Sequence, residues 1–272
     1  MANTIDQAFI TQFESEVHLA YQRMGSKLKN TVRNSNNVIG SVVRFQKLGV
    51  GSASTKARNA DVSVMNPVHS YVEATLTDHY AAEYVDKLDE LKTNIDERGV
   101  LSTTAAAALG RKTDEIIITE AENAAAAIGT NADGLTLAKC QAIFETFEEA
   151  DVMGESRWVI ISPAAWTDLL NISEFANMDY LGPDELPYKS GATAKRWLGF
   201  TWMTHSGLSN PATTERTCLA YEQNALGLGV GQEISTEINY VPEKVAHLVT
   251  SCMSMGAKII QSNGVYTVPV LE

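Results

Sequence analysis

Apolar residues recur at Ile5, Phe9, Phe13, Val17, Tyr21, Met24 and Leu28, the spacing of one helical face, and Thr4 with Gln7 has capping-box spacing. An amphipathic N-terminal helix is expected there. The polar stretch KNTVRNSNNVIGS that follows carries no such stripe, and Asn36 and Asn37 mark a turn or an extended arm. The helix is therefore expected on an arm rather than in a core. Residues 38–48 and 62–76 have strand character, the second alternating Val68, Ser70, Val72, Ala74 and Leu76 against His69, Tyr71, Glu73 and Thr75. They predict a long hairpin with LGVGSASTKARNADV, residues 48–62, at its tip. Two strands alone are marginal in water, so the hairpin needs something to lie on.

Further along, Asp78 can cap a helix that places Ala81, Tyr84, Val85, Leu88 and Leu91 on one face. A longer helix is expected from near Ser102 to Gly129, spanning about 40 Å at 1.5 Å per residue. Its alanines keep one side thin. From Leu135 the pattern becomes α/β: a helix with Leu137, Cys140, Ile143, Phe144 and Phe147, a strand RWVIIS, and a helix started by Ser162 and Pro163. A strand WLGFTWMT, a strand TCLAY and a short helix EQNALGLG complete a compact unit over 135–229 that reads as an insertion. The tail returns to strands in EISTEINY, AHLVTSCMSMGAKII and VYTVPVLE.

Composition narrows the chemistry. The 272 residues have the apolar and charged fractions of an ordinary soluble protein, with no signal-peptide pattern and no run approaching the roughly 18 apolar residues of a membrane span. Synthesis in the cytoplasm and no membrane partner are the expectation. Cys140, Cys218 and Cys252 lie far apart, and the five histidines form no ligand pair, so neither a disulfide framework nor a zinc site is suggested. No GxSxG elbow is present, and Asp86, Asp89 and Glu90 read more simply as a solvated face than as a metal site. A P-loop needs glycine immediately before its lysine and a hydroxyl after it; here Thr55 precedes Lys56 and Ala57 follows. No catalytic residue, cofactor or metal is therefore assigned. The charge is uneven: residues 17–60 hold eight basic residues and no acid, so of a net −12 the remainder carries −20. Such asymmetry marks a nucleic-acid arm, a solvated face, or a basic part of one copy meeting the acidic body of another.

The order of parts, with the segments FQKLGVGSASTKARNADVSVMN and YVDKLDELKTNIDERG, the passage AYEQNALGLGVG and the late SMGAKII, resembles the major capsid proteins of tailed phages. The resemblance covers essentially the whole chain. It implies an α+β Hong Kong 97-like fold: an N-terminal arm over 1–38, an extended loop over 39–76, a peripheral domain with its spine helix over 77–134, an axial domain over 135–229, and C-terminal strands of the peripheral domain over 230–272. It implies no enzyme but a shell protein of the virion, assembling with itself as pentamers and hexamers around phage double-stranded DNA without sequence specificity. The chain begins at the arm, so a separate scaffolding protein is expected, together with a portal. Subunit contact is assigned to the loop and arm through Arg33, Arg44, Lys47, Gly49, Gly51, Lys56 and Arg58, the two glycines letting the tip bend. Lys56 is only a loose match to the lysine that some relatives link covalently to a neighbour. An encapsulin-like bacterial compartment would share the fold. From another class, a phosphate- or nucleic-acid-binding protein using the 48–58 loop stands as the alternative, against which the acidic body weighs.

Overall fold

The computed structural model describes residues 23–90, 96–130, 132–176, 194–212 and 214–272. Most of the expected N-terminal helix lies outside them. Residues 23–28 are not helical, Gly25 has φ 71°, and Leu28, assigned to the helical stripe, is instead buried in an irregular segment. The residues group into two compact units. One contains 79–111 and 234–253 with the described residues before Ser26, and the other contains 26–78, 112–233 and 254–272.

The smaller unit corrects one expectation outright. Residues expected to form a helix from Asp78 are a strand, β4 (Thr77–Asp86), followed by α1 (Lys87–Glu90), and the expected Leu91 lies outside the described residues. Both periods fit this stretch, and His79, Ala81 and Val85 are the set turned inward. Sheet pairing decided between them, because strand preference is set by neighbours more than by the residue. The long helix α2 (Glu97–Glu122) starts five residues before the expected Ser102, where Asp96 accepts a hydrogen bond from Gly99 N–H at 3.2 Å and caps it. It also ends seven residues before Gly129. Residues 126–128 leave the helix and bond to Thr267, with Ile128 N–H donating to its carbonyl at 2.8 Å.

In the larger unit a five-stranded sheet runs in the order β11 (Val265–Leu271), β8 (Glu215–Glu222), β5 (Arg157–Ile161), β7 (Phe200–Thr204), β6 (Ala194–Trp197). The terminal strand β11 thus joins the sheet of the 135–229 segment, all seven of its residues being in antiparallel register with β8. Helix α3 (Leu137–Glu149), capped by Thr136, packs Phe147 edge-on against Phe200 and Tyr266 at ring distances of 5.1 and 5.2 Å. Helix α4 (Pro163–Leu170) starts as expected, with Ser162 Oγ accepting from Ala165 N–H. With α5 (Ser173–Ala176) it extends the aromatic layer through Trp166, Phe175 and Trp197. The stretch WLGFTWMT is a hairpin rather than one strand. Leu198 and Gly199 both have positive φ, 49° and 76°, the two-residue turn that matches strand twist.

A second sheet has the order β1 (Arg33–Ser35), β9 (Leu226–Val241), β10 (Ala246–Ile259), β4. The expected helix EQNALGLG is a single 3-10 turn, Gln223–Ala225, that delivers the chain into β9. Glycine at 227, 229 and 231 is a period-two pattern, and a Cβ at these positions would meet Phe45 at 2.7 Å, Val43 at 2.6 Å and Leu76 at 2.9 Å. The bare face of β9 is what lets the next element approach.

A buried polar cluster ties this unit together. Asp114, fully buried on α2, accepts from Ser26 Oγ at 2.5 Å, from the backbone N–H of Lys27 and Leu28 at 3.1 Å each, and from His205 Nε2 at 3.1 Å. Burial alone would raise its carboxyl, but hydrogen bonds from His205, Ser26, Leu28 and Lys27 outweigh it, and the group lies below the ordinary carboxylate range. Gly207 N–H donates to His205 Nδ1, which leaves Nε2 as the protonated nitrogen of a neutral ring.

Candidate subunit-contact site

The site is a two-stranded hairpin, β2 (Val42–Leu48) and β3 (His69–Thr75), paired antiparallel in unbroken register from Val42↔Thr75 to Leu48↔His69. Both strands are shorter than the sequence suggested. Gly49 N–H adds one rung to Val68 at 2.8 Å, and residues 50–68 form no further strand. At its base the hairpin buries Val43, Phe45 and Ala74 with Ile260, supported by Val38 and Leu76, over the glycine face of β9. Burying side chains of this size is worth about 1.5–3 kcal/mol each. The base is thus held to its own subunit while the far end contributes nothing to the core.

The expected contact residues fall into three groups. Arg33 sits on β1 with its guanidinium 6.0 Å from the Phe45 ring, at the base of the hairpin rather than near its tip. Arg44 is already engaged, pairing with Glu73 at 2.8 Å and lying over Tyr71 at 4.8 Å. Lys47 is half-buried and lines a cleft of about 360 Å³ with Gln46, Asp151, Met153, Glu222 and Asn263. The tip itself holds Lys56 and Arg58 in a turn closed by Ala60 N–H to Ala57, with Asn59 in the left-handed region at φ 68°. Lys56 Nζ donates to Ala60 O at 3.0 Å, and both basic side chains are exposed.

The role expected of the glycines needs correction. Neither Gly49 nor Gly51 has a positive φ. Their contribution is room: a Cβ on Gly49 would press on Val68 O at 3.3 Å, and one on Gly51 would overlap Met65. No helix follows Lys56 before β3, so the arrangement is not a phosphate-binding strand–loop–helix.

Charge drew the sequence reading to this loop, but its apolar residues were passed over. Val50 is fully exposed, Val64 and Val68 are 86% and 74% exposed, and Leu48, Val62, Met65 and Tyr71 are all more than half exposed. So many large apolar side chains on one segment outside the core form an exposed apolar patch of the kind that marks interaction surfaces. The signal was readable as VSVMNPV, a β-rich run with no core to enter. Among the described residues no group of three metal-ligating side chains comes together.

A family model described as phage capsid protein matches residues 5–272. No curated protein matches the chain in sequence. Among solved structures, the capsid of cyanophage P-SCSP1u is similar over 99% of this chain and 95% of its own, with 16% identity and a TM-score of 0.78. A structure from Mycobacterium phage Che8 is similar over 96% and 97%, with 15% identity and a TM-score of 0.77. The mature capsid of bacteriophage PhiM1 follows over 96% and 92%, with 12% identity and a TM-score of 0.75.

Proposed function

Since the chain belongs to the phage capsid protein family and has the Hong Kong 97-like fold, we propose that it builds, as pentamers and hexamers, an icosahedral shell around double-stranded phage DNA. Membership makes it a structural protein of the virion, assembled from copies of itself, and not an enzyme. The observation that carries the finer reading is the hairpin: its base is buried in its own subunit, and its far end exposes a run of valines that the described residues leave uncovered.

The parts take roles accordingly. Residues 1–38 act as the arm, 39–76 as the extended loop, and α2 as the spine of the peripheral domain. The five-stranded sheet with α3 to α5 acts as the axial domain. Lys56 and Arg58 meet carboxylates of an adjacent copy, with Val62, Val64 and Val68 supplying apolar contact. DNA is held without sequence readout, because a body carrying −20 outside residues 17–60 repels phosphate and leaves filling to a portal-mounted motor. Synthesis in the host cytoplasm and a separate scaffolding protein complete the reading. Expression of the chain followed by electron microscopy tests it: closed shells or rings of five and six are expected. A monomer that persists at high concentration with an ordered hairpin would refute it.

A further inference from the structure

Strand β2 turns three residues toward its own subunit. Val43, Phe45 and Lys47 share one face, because side chains alternate along a strand. Val43 and Phe45 are buried over the glycine face of β9, and Lys47, about 7 Å beyond Phe45, reaches past that core. An aliphatic side chain would continue the row. A half-buried ammonium stands there instead and lines the cleft of about 360 Å³, together with Ala225, Ile260 and the turn after α3, Asp151 to Met153.

The cleft holds two uncommitted charges. Among the described residues no hydrogen bond or ion pair engages the Lys47 ammonium or the Asp151 carboxylate. The other acid of the cleft, Glu222, is engaged: its two oxygens accept from the backbone N–H and the side-chain amide of Asn224, at 2.9 Å each. Asp151 is fixed in place by the helix end, with φ 51° and its N–H donating to Glu148 O at 3.1 Å. Lys47 is carried on the hairpin beyond its buried base, where β2 and β3 pair with each other and no further residue is fully buried. The hairpin is therefore the element that can move, and the turn after α3 is the fixed one.

We propose that the cleft is a seat for the hairpin: in the unassembled subunit β2 tilts toward the turn after α3, Lys47 pairs with Asp151, and the cleft narrows. Seated in this way, the hairpin is held along its own subunit. The pair has to part before the tip reaches another copy, so the contact is a brake on assembly. The proposal rests on the capsid reading and adds to it a control that acts within one subunit.

A zero-length cross-link tests it. A carbodiimide joins a lysine to a carboxylate only where the two touch, and Lys29 with Glu233, paired at 2.5 Å, serves as the positive control. In the unassembled subunit a Lys47–Asp151 link should form, read by mass spectrometry. Formation of the control link alone overturns the seat, and a link from Lys47 to Glu222 in its place overturns the assigned partner. Asp151→Asn should fold, since the residue is exposed and asparagine suits the left-handed backbone there. It should form shells about threefold faster by light scattering, the shift that a partly exposed ion pair supports. An unchanged rate overturns the brake. Should circular dichroism show that Asp151→Asn misfolds, Asp151→Gly gives the same reading at the same backbone angle. Absence of shells from the unaltered chain defeats the capsid reading, while the cross-link still decides whether the hairpin seats.

Discussion

Replacing Asp114 with asparagine removes one charge from the centre of the larger unit and changes almost nothing in shape. The carboxylate accepts from Ser26, Lys27, Leu28 and His205 through its two oxygens. An amide keeps one acceptor and turns the other oxygen into a donor. Oriented to serve Leu28 and Ser26, it faces the protonated Nε2 of His205 with an N–H, and His205 has no easy alternative because Nδ1 already accepts from Gly207. The loss is one hydrogen bond to a charged group, about 1.5–3 kcal/mol, plus a buried donor left unpaired, about 1–3 kcal/mol. The expected cost is about 3–5 kcal/mol, against a total stability of about 5–15 kcal/mol for a domain. Urea unfolding of the unassembled subunit, followed by tryptophan fluorescence, should show the midpoint falling by about 1–2.5 M at an unchanged slope of about 2–3 kcal/mol/M. The acid limb gives a second reading. The folded carboxyl lies below its unfolded value of about 3.9, so its contribution is present above that pH and is lost as pH falls through the folded value. Asp114→Asn should flatten this part of the acid dependence. A midpoint within about 0.3 M of wild type would mean that the cluster is not holding residues 26–28 to α2.

Further outcomes follow from the same geometry. Lys56→Glu with Arg58→Glu should leave the circular dichroism unchanged, since both residues are exposed, while shells disappear or become sensitive to salt that screens charges over about 8–10 Å; a wild-type yield of shells would show a merely solvated loop. Phe45→Ala removes the largest side chain of the hairpin base and should cost about 3–5 kcal/mol locally; amide exchange should speed up across β2 and β3 but not across β5 and β8, and equal speeding in both would contradict a separately seated hairpin. The thiols of Cys140 and Cys218, pushed up by burial to about 12, should resist a thiol reagent at pH 8 in the folded subunit, and labelling within minutes would show that these sites open readily.

Legibility in the sequence followed the reach of each interaction. Caps are local, and Ser162 with Pro163 started α4 where expected. Of the stripe Leu137, Cys140, Ile143, Phe144 and Phe147, three residues, Cys140, Ile143 and Phe147, mark the buried side of α3, while Phe144 is exposed. Misreadings arose where a partner distant in sequence decides. The stretch from Thr77 to Asp86 satisfies a helical and an alternating period together, and only its place in the sheet with β10 selects the strand. EQNALGLG was expected as a short helix, whereas the glycines at 227, 229 and 231 have a spacing of two that serves close approach by Phe45, Val43 and Leu76. The 48–58 loop stood out by its lack of acids, whereas the exposure of Val64 and Val68 was legible only as the β-rich run VSVMNPV with no core to enter.

The glycine face of β9 also sets where the hairpin points. Val43 and Phe45 rest on it two residues apart, a baseline of about 7 Å along the strand. Alanine at Gly227 would place a methyl carbon 2.7 Å from Phe45 Cζ, with Ile260 at 2.9 Å closing the escape. Restoring ordinary contact lifts that end of the baseline by about 0.7–1 Å, a tilt of about 6–8°. The hairpin behaves as a lever: at Leu48, about 10 Å beyond Phe45, the displacement is already about 1 Å more, and it keeps growing toward Lys56 and Arg58. A single methyl group at the hairpin base would thus mis-aim the tip, so the direction of Lys56 and Arg58 depends on three residues without side chains.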